Sequence, residues 1–442
     1  MDVIPGLTHC CPEYAAVEWA FLEETVAKGG QGDLNDALFA MVQGAAREKV
    51  VAADALRGYE PGRQTSQQHT LRNMYSISRI QEVLQAVPRG AFDRIVCERA
   101  ANRHVKKFGC WQHLVTMLYA QLSGAGSLRQ IEAGLNSHRN HHYHLGIGNV
   151  RRTTLDDANR TRSPEVFAQL LQVLIQQAGR SLRAEREELL YLLDATYCGN
   201  LKLHLLLDAN GQAVADASIT SATINDIVQA KRLGLQSGCT YVFDRGYCDY
   251  NWWHAIDQAG SRWVSRFKRD AAIAITRSHA VPSQDIDILS DCTVEFTLKR
   301  PRGGHRNLYT APLRRIVVAR DNAAPLVLAT NDLQSPAAQI AALYKRRWQI
   351  ELFFKWIKQH LQIRRFFGRN ENAVRIQLLT ALIAYMLVLL LKAASGRPET
   401  LWMLLAQLRA GLFQRPRTEE SYYRKRKRAQ EELAAVQPSL IS

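Results

Sequence analysis

Tyr344, Arg347, Glu351 and Lys358 stand in a Y-x2-R-x3-E-x6-K spacing inside the stretch Tyr344–Lys358. The stretch reads as a helix. At roughly 100° per residue, offsets of three, seven and fourteen bring all four residues to within about 60° of one another. The spacing predicts one polar stripe of a tyrosine, two cations and a carboxylate. Such a stripe can take a divalent metal and a phosphate together. The same residues on a solvated face would make only a ladder of salt bridges, so the stripe needs partners to carry chemistry.

Two aspartates supply candidates. Leu189-Leu190-Tyr191-Leu192-Leu193-Asp194 and Thr240-Tyr241-Val242-Phe243-Asp244 are apolar runs that end in a carboxylate. Each reads as a buried strand. Carboxylates at strand ends of an open sheet point into the crevice where ligands bind. An aspartate at such a place also forms turns and caps, so order and context decide. The order is strand-Asp, strand-Asp, a β-rich stretch, then helix-Glu flanked by spaced cations. Three acids converging from two strands and a helix can hold two magnesium ions about 4 Å apart. Hard oxygen ligands suit magnesium, or manganese in its place, rather than zinc. Such a pair would activate a water or a 3′-hydroxyl for in-line phosphoryl displacement.

The elements that must position these residues can be read around them. From Ile77 to about Gly179 the chain is helical: Trp111 to Leu122 is apolar at helical spacing, and Gly124-Ala125-Gly126 breaks it. Ser127 then caps Leu128 to Leu135, and Thr153 or Thr154 caps a helix through Leu155, Ala158 and Asn159. The arrangement resembles a helix-turn-helix. Arg151, Arg152, Arg160 and Arg162 cluster around the last helix as phosphate contacts or as a solvated basic face. Lys202 to Leu207 and Val214 to Ile219 read as strands joined by the turn Asp208-Ala209-Asn210-Gly211. Ala222 to Leu233 reads as a helix and Trp263 to Phe267 as a strand. Further β-rich pieces are Thr293 to Leu298, Leu308 to Pro312, Arg315 to Ala319 and Leu326 to Thr330, with a basic turn at Pro301-Arg302-Gly303-Gly304-His305-Arg306. Ile363 to Gly368 is a connector to an apolar helix from Ala373.

The resulting division is an N-terminal extension (1–73), a helical DNA-binding region (74–180), an α/β catalytic domain (188–415) with a β-rich insertion at about 270–335, and a basic polar tail (416–442) containing Arg424-Lys425-Arg426-Lys427-Arg428. Met74 opens better-patterned sequence, so the first 73 residues are either an upstream in-frame extension or a helical appendage.

Composition points to the partner. Among 442 residues, 57 Lys and Arg against 41 Asp and Glu give a net charge of +16. An excess of this size marks a polyanionic partner, most often nucleic acid. Eight scattered cysteines without a C-x2-C pair read as a reduced, cytosolic set. No signal peptide is read at the N-terminus. Ile376 to Leu391 is shorter than the ~20 residues of a membrane helix and reads as a core helix. His138, His141, His142 and His144 lack carboxylate or Cys partners at ligand spacing. Trp252-Trp253 either stack on a base or pack under the sheet.

Together these pieces resemble the DDE transposases of bacterial insertion sequences, in the insertion-sequence-four family. The matching segments are Leu193-Asp194-Ala195-Thr196, Phe243-Asp244-Arg245-Gly246-Tyr247 and the Tyr344–Lys358 motif. The region Phe108 to Arg162 also looks like that family's N-terminal part. The resemblance implies an RNase H-like domain with a β-rich insertion before the glutamate. It implies Asp194, Asp244 and Glu351 as catalytic metal ligands, and Tyr344, Arg347 and Lys358 as contacts to DNA phosphates. It further implies cutting of element ends, joining of 3′-hydroxyls to target DNA, and a homodimer on paired ends in the bacterial cytoplasm. A nuclease that cuts without joining, or a DNA-binding protein without chemistry, are the alternative readings.

Overall fold

The computed structural model describes residues 77–183, 189–281, 287–298, 306–320, 323–396 and 398–415, all within one compact unit, Ile77–Ser442. The expectations for residues 1–73, a start at Met74, the turn at 301–305 and the tail from 416 lie outside the described residues.

Helices fill the first part: α1 Arg79–Gln85, α2 Arg89–Glu98, α3 Cys110–Ser123, α4 Leu128–Asn136, α5 His142–Leu145, α6 Arg152–Thr161 and α7 Glu165–Arg183. α3 is apolar almost all round and buried almost all round, as a central helix must be. It ends where Gly124 turns left-handed at φ 74°, a conformation that costs glycine little. Ser127 starts α4, its Oγ accepting from Gln130 N at 3.2 Å. The expected Thr cap of α6 is not used. The helix begins earlier, with Arg151 at its N-cap and no side-chain cap bond. Asn136 sets the entry instead, donating to Val150 O at 2.7 Å and accepting from Val150 N at 3.0 Å. A tertiary clamp overrides the local capping residue.

The second part is built on a sheet: β1 Leu189–Cys198, β2 Leu201–Asp208, β3 Ala213–Ser221, β4 Cys239–Phe243, β5 Arg262–Arg266, β6 Ile273–Ser278, β7 Ile288–Phe296, β8 Leu313–Val318 and β9 Leu326–Thr330. Among the described residues it runs in the order β3-β2-β1-β4-β5-β9-β8-β7-β6. β1, β4 and β5 are parallel; the other neighbours are antiparallel. The expected insertion therefore continues the main sheet, because β9 returns to pair with β5. The middles of the parallel strands are buried on both faces, Leu190–Leu193 in β1, all of β4 and Trp263–Ser265 in β5, because helices cover both sides of the sheet. These are α8 Asp226–Ala230, α9 Tyr250–Gln258, α10 Ala337–Lys345, α11 Trp348–His360, α12 Glu371–Ser395 and α13 Leu401–Ala410.

Two expected elements differ and one strand is additional. The helix over 222–233 shrinks to α8, because Asn225 Oδ1 caps Ile227 N at 3.3 Å and leaves residues 222–224 outside the helix. Leu308 to Pro312 is not a strand; Leu308 N is held by Asn251 Oδ1 of α9 at 2.9 Å. β6 was not expected from sequence, and its residues beyond Ile273 are exposed. An edge strand with one neighbour has no buried face to leave a pattern.

α12 alone among the described residues is long and apolar enough to cross a membrane, but 89% of its most apolar window is buried inside the protein. Gln377 and Thr380, also buried, hydrogen-bond there. The core-helix reading fits this burial.

Candidate active site

Strand parity and register bring the two aspartates together. Side chains alternate faces along a strand. Leu190 and Leu192 pack in the large core with Ile350, Phe353 and Ile357 of α11, whereas Tyr191 and Leu193 pack in the opposite core with Trp253 and Trp263. Asp194 and Thr196 have the parity of Leu192 and so face α11. β4 lies parallel with Leu192 beside Val242 and Leu193 beside Phe243. Val242 shares the α11 side, so Asp244 falls level with Asp194 on the same face. β5 repeats this, with Val264 beside Val242 and Arg266 two residues on. Asp194 is not the last residue of its strand. β1 continues to Cys198 against β2, but its parallel neighbour stops at Phe243, and the crevice opens there.

The Tyr344–Lys358 stretch is not one helix. α10 ends at Lys345 and α11 begins at Trp348. The intervening turn is tightened by Arg347 N donating to Tyr344 O at 3.0 Å and Gln349 N donating to Arg346 O at 3.0 Å. Both are i to i−3 bonds of the 3₁₀ kind. The motif residues still converge on the crevice. Tyr344 Oη reaches Asp244 Oδ1 at 3.4 Å. Arg347 lies 2.6 Å from Glu351 Oε1 and 3.9 Å from Asp194 Oδ2. Lys358 Nζ donates to Thr196 Oγ1 at 2.5 Å. Arg266 donates to Asp244 through Nε at 3.0 Å and through its Nη2.

The charges are mutually strained. Burial raises the Asp194 carboxyl to about 6, against the lowering pull of Ala195 N–H and Arg347, and the Glu351 and Asp244 charges push it the same way as burial. Burial would also raise Asp244, but the Arg266 bond, the Arg245 N–H and the charges of Arg266 and Arg347 hold it below the usual carboxylate range. Burial pushes Tyr344 to about 12, so it stays a neutral hydroxyl. Arg347 is 12% exposed, and its Nε is buried without a partner.

A divalent cation fits this site by donor type: three carboxylates, one of them under-compensated, are the hard oxygen set such ions take. As placed, they do not close on one point. Among the described residues no three acidic, His or Cys side chains converge tightly enough to hold an ion; Glu351 is paired with Arg347 and Asp244 with Arg266.

The other singled-out residues separate. Arg151, Arg152 and Arg160 are exposed, with Arg160 paired to Asp157 at 2.6 Å. Arg162 does not join them; it turns inward to Phe108 O at 2.7 Å. Trp252 and Trp253 are buried under the sheet. His138 stacks on Phe413 at 3.9 Å between centroids, and His142 is buried against Leu135 O at 3.0 Å. Sequence reading missed Arg266, and it gave Thr196 no role beyond its place in the Leu193–Thr196 motif. The signal for Arg266 was parity: a cation two residues beyond the central valine of the third parallel strand.

The Transposase DDE domain family matches residues 191–387, and a domain of unknown function (DUF4372) matches residues 76–148. "Putative transposase y4zB" of Sinorhizobium fredii is 40% identical over 252 residues, covering 53% of this chain and 69% of that protein. "Probable transposase for insertion sequence element IS5377" of Geobacillus stearothermophilus is 29% identical over 190 residues, covering 42% and 48%. A solved piggyBac transposase synaptic complex with hairpin DNA aligns at TM-score 0.41 and 10% identity, over 79% of this chain and 82% of that one. The match to the Transposase DDE domain family and the likeness to the two curated transposases lead to one statement: this chain belongs to the DDE transposases of bacterial insertion sequences.

Proposed function

We propose that this transposase cuts DNA at the ends of its insertion sequence and joins the freed 3′-hydroxyls to target DNA, with Asp194, Asp244 and Glu351 as the ligands of two magnesium ions. The observation that carries the reading is the grouping of the three carboxylates around one guanidinium. Arg347 touches Asp194 and Glu351 and feels the Asp244 charge. Divalent cations at such a set lower the pKa of the attacking hydroxyl and stabilise the leaving oxygen; manganese would serve as well.

The chain's own groups divide the remaining work. Arg347 and Lys358 carry the positive charge that a phosphodiester needs beside the carboxylates. Tyr344, kept neutral by burial, orients Asp244 by its hydroxyl. Arg266 keeps Asp244 ionised. The helical region 74–180 acts as the DNA-binding domain, with Arg151, Arg152 and Arg160 on phosphates, and the RNase H-like domain 188–415 supplies the chemistry. Two copies act on paired ends.

A strand-transfer assay tests this: a labelled duplex with the element's terminal sequence, a plasmid target and Mg2+. The reading expects a joined product from the wild type, and neither cleavage nor joining from Asp194→Asn or Glu351→Gln. Nicked ends without joined product would leave a nuclease. Undiminished cleavage by both variants would remove the site assignment.

A further inference from the structure

A second basic site adjoins the carboxylates. A cavity of about 460 Å³ lies between the α3–α4 turn and the segment after α11, within the ~300–1,000 Å³ range of small-molecule sites. One wall is Gly124, Gly126, Ser127 and Gln130; the other includes Lys358, Arg364 and Arg365. Among the described residues no carboxylate lines it. Lys358 belongs to both sites, because its ammonium also bonds Thr196, two residues beyond Asp194.

The cationic wall is held in place by the core. Leu361 and Ile363 are buried, while Arg364 and Arg365 are exposed. Two buried glutamines fix the backbone between them. Gln121 Oε1 accepts from Gln362 N at 2.7 Å. Gln377 donates to the Arg365 carbonyl at 2.8 Å and accepts from Phe367 N at 2.8 Å. Gln362 in turn donates to Gly124 O at 2.9 Å, tying one wall to the other. Three cations gathered at one opening repel one another, and among the described residues neither Arg364 nor Arg365 has an ion-pair partner. A fixed backbone presenting unneutralised arginines is pre-arranged for an anion.

We propose that this cavity binds the DNA phosphodiester backbone next to the cleaved bond, with Arg364 and Arg365 each neutralising a phosphate. The proposal rests on the DNA reading given above. It joins the helical region to the catalytic helix through the substrate strand, since that strand would lie between the α3–α4 turn and Lys358.

The test uses the full chain and two fluorescein-labelled duplexes of equal length, one with the element's terminal sequence and one random. Affinity is measured against salt for the wild type, Arg364→Gln/Arg365→Gln, and the control Arg269→Gln/Arg277→Gln, which removes equal charge from other exposed positions. Loss of two phosphate contacts should reduce the slope of log affinity against log salt by about 1.8 and weaken binding roughly 30-fold near 0.15 M salt. Each single variant should give about half the slope change. Terminal-sequence duplexes carrying one methylphosphonate at a time should locate the contact. The wild type should be sensitive at one or two phosphates beside the cleaved bond, and the double variant insensitive there. If the double variant keeps the wild-type slope and methylphosphonate pattern, or matches the control, the cavity proposal is overturned and the DNA reading stands. If the wild type binds neither duplex, both fall.

Discussion

Acid should loosen the helical region through one side chain, His113. It is fully buried, set between the rings of Phe108 and Phe167 at 5.7 and 5.2 Å. Its Nε2 lies 2.8 Å from Asn159 Oδ1 of α6, and its Nδ1 has no partner. Burial first, and then the Arg162 charge, lower its pKa from 6.5 to about 3, with the Asn159 bond opposing. The unfolded chain takes a proton near pH 6.5 that the folded protein refuses. The stability contributed by the neutral imidazole is therefore present above about pH 6.5 and falls as pH falls, until the folded group itself titrates near 3. At about 1.4 kcal/mol per unit, His113 should cost about 2 kcal/mol by pH 5. Asp194 works in the opposite sense, since its raised pKa favours the protonated folded state between about 6 and 3.8. It is common to wild type and variant, so a difference removes it. The assay is urea unfolding at several pH values, followed by tryptophan fluorescence and far-UV circular dichroism. His113→Gln keeps a donor for Asn159 but no titrating group. The wild type should lose about 2 kcal/mol more than the variant between pH 7 and 5. Parallel profiles for the two proteins would refute the reasoning.

Other substitutions read different parts of the structure. Asp291→Asn breaks a buried two-point pair, Arg314 Nε at 2.8 Å and Nη2 at 2.6 Å, and should cost about 3–5 kcal/mol; Asp291→Leu/Arg314→Met should recover most of it in urea midpoints. Gly124→Ala forces alanine to φ 74° and sets its Cβ 3.2 Å from the Arg409 guanidinium, so thermal melting should show a loss of about 1–2 kcal/mol. Gln377→Leu leaves Phe367 N and the Arg365 carbonyl without their partner; amide exchange across residues 361–367 should speed up and DNA affinity should drop, with Arg364 and Arg365 still in place.

The parts most legible in the sequence were those governed by local patterning. α3, Gly124 and Ser127 followed from apolar spacing, a left-handed stop and a cap. β1 and β4 followed from apolar runs buried on both faces. The parts that were not legible depend on partners distant in sequence. The entry of α6 is set by Asn136, fourteen residues before Val150. β6 has no pattern because its side chains face solvent. The Tyr344 stripe looked like one helix face, yet Arg346–Arg347 forms a 3₁₀ turn, and the stripe converges because parity on β1 and β4 brings the aspartates to it. Arg266 was missed because its partner, Asp244, lies on a neighbouring strand whose register no single segment reveals.

The central claim is that Asp194, Asp244 and Glu351 form one metal site for DNA cleavage. Mn2+ titration followed by electron paramagnetic resonance, paired with cleavage of the labelled terminal duplex in the same samples, tests it most directly. The account predicts that the wild type binds Mn2+ and cleaves, and that Asp194→Asn, Asp244→Asn and Glu351→Gln each lose tight Mn2+ binding and cleavage together while keeping DNA affinity. Wild-type Mn2+ binding and cleavage in any one of the three variants would contradict it.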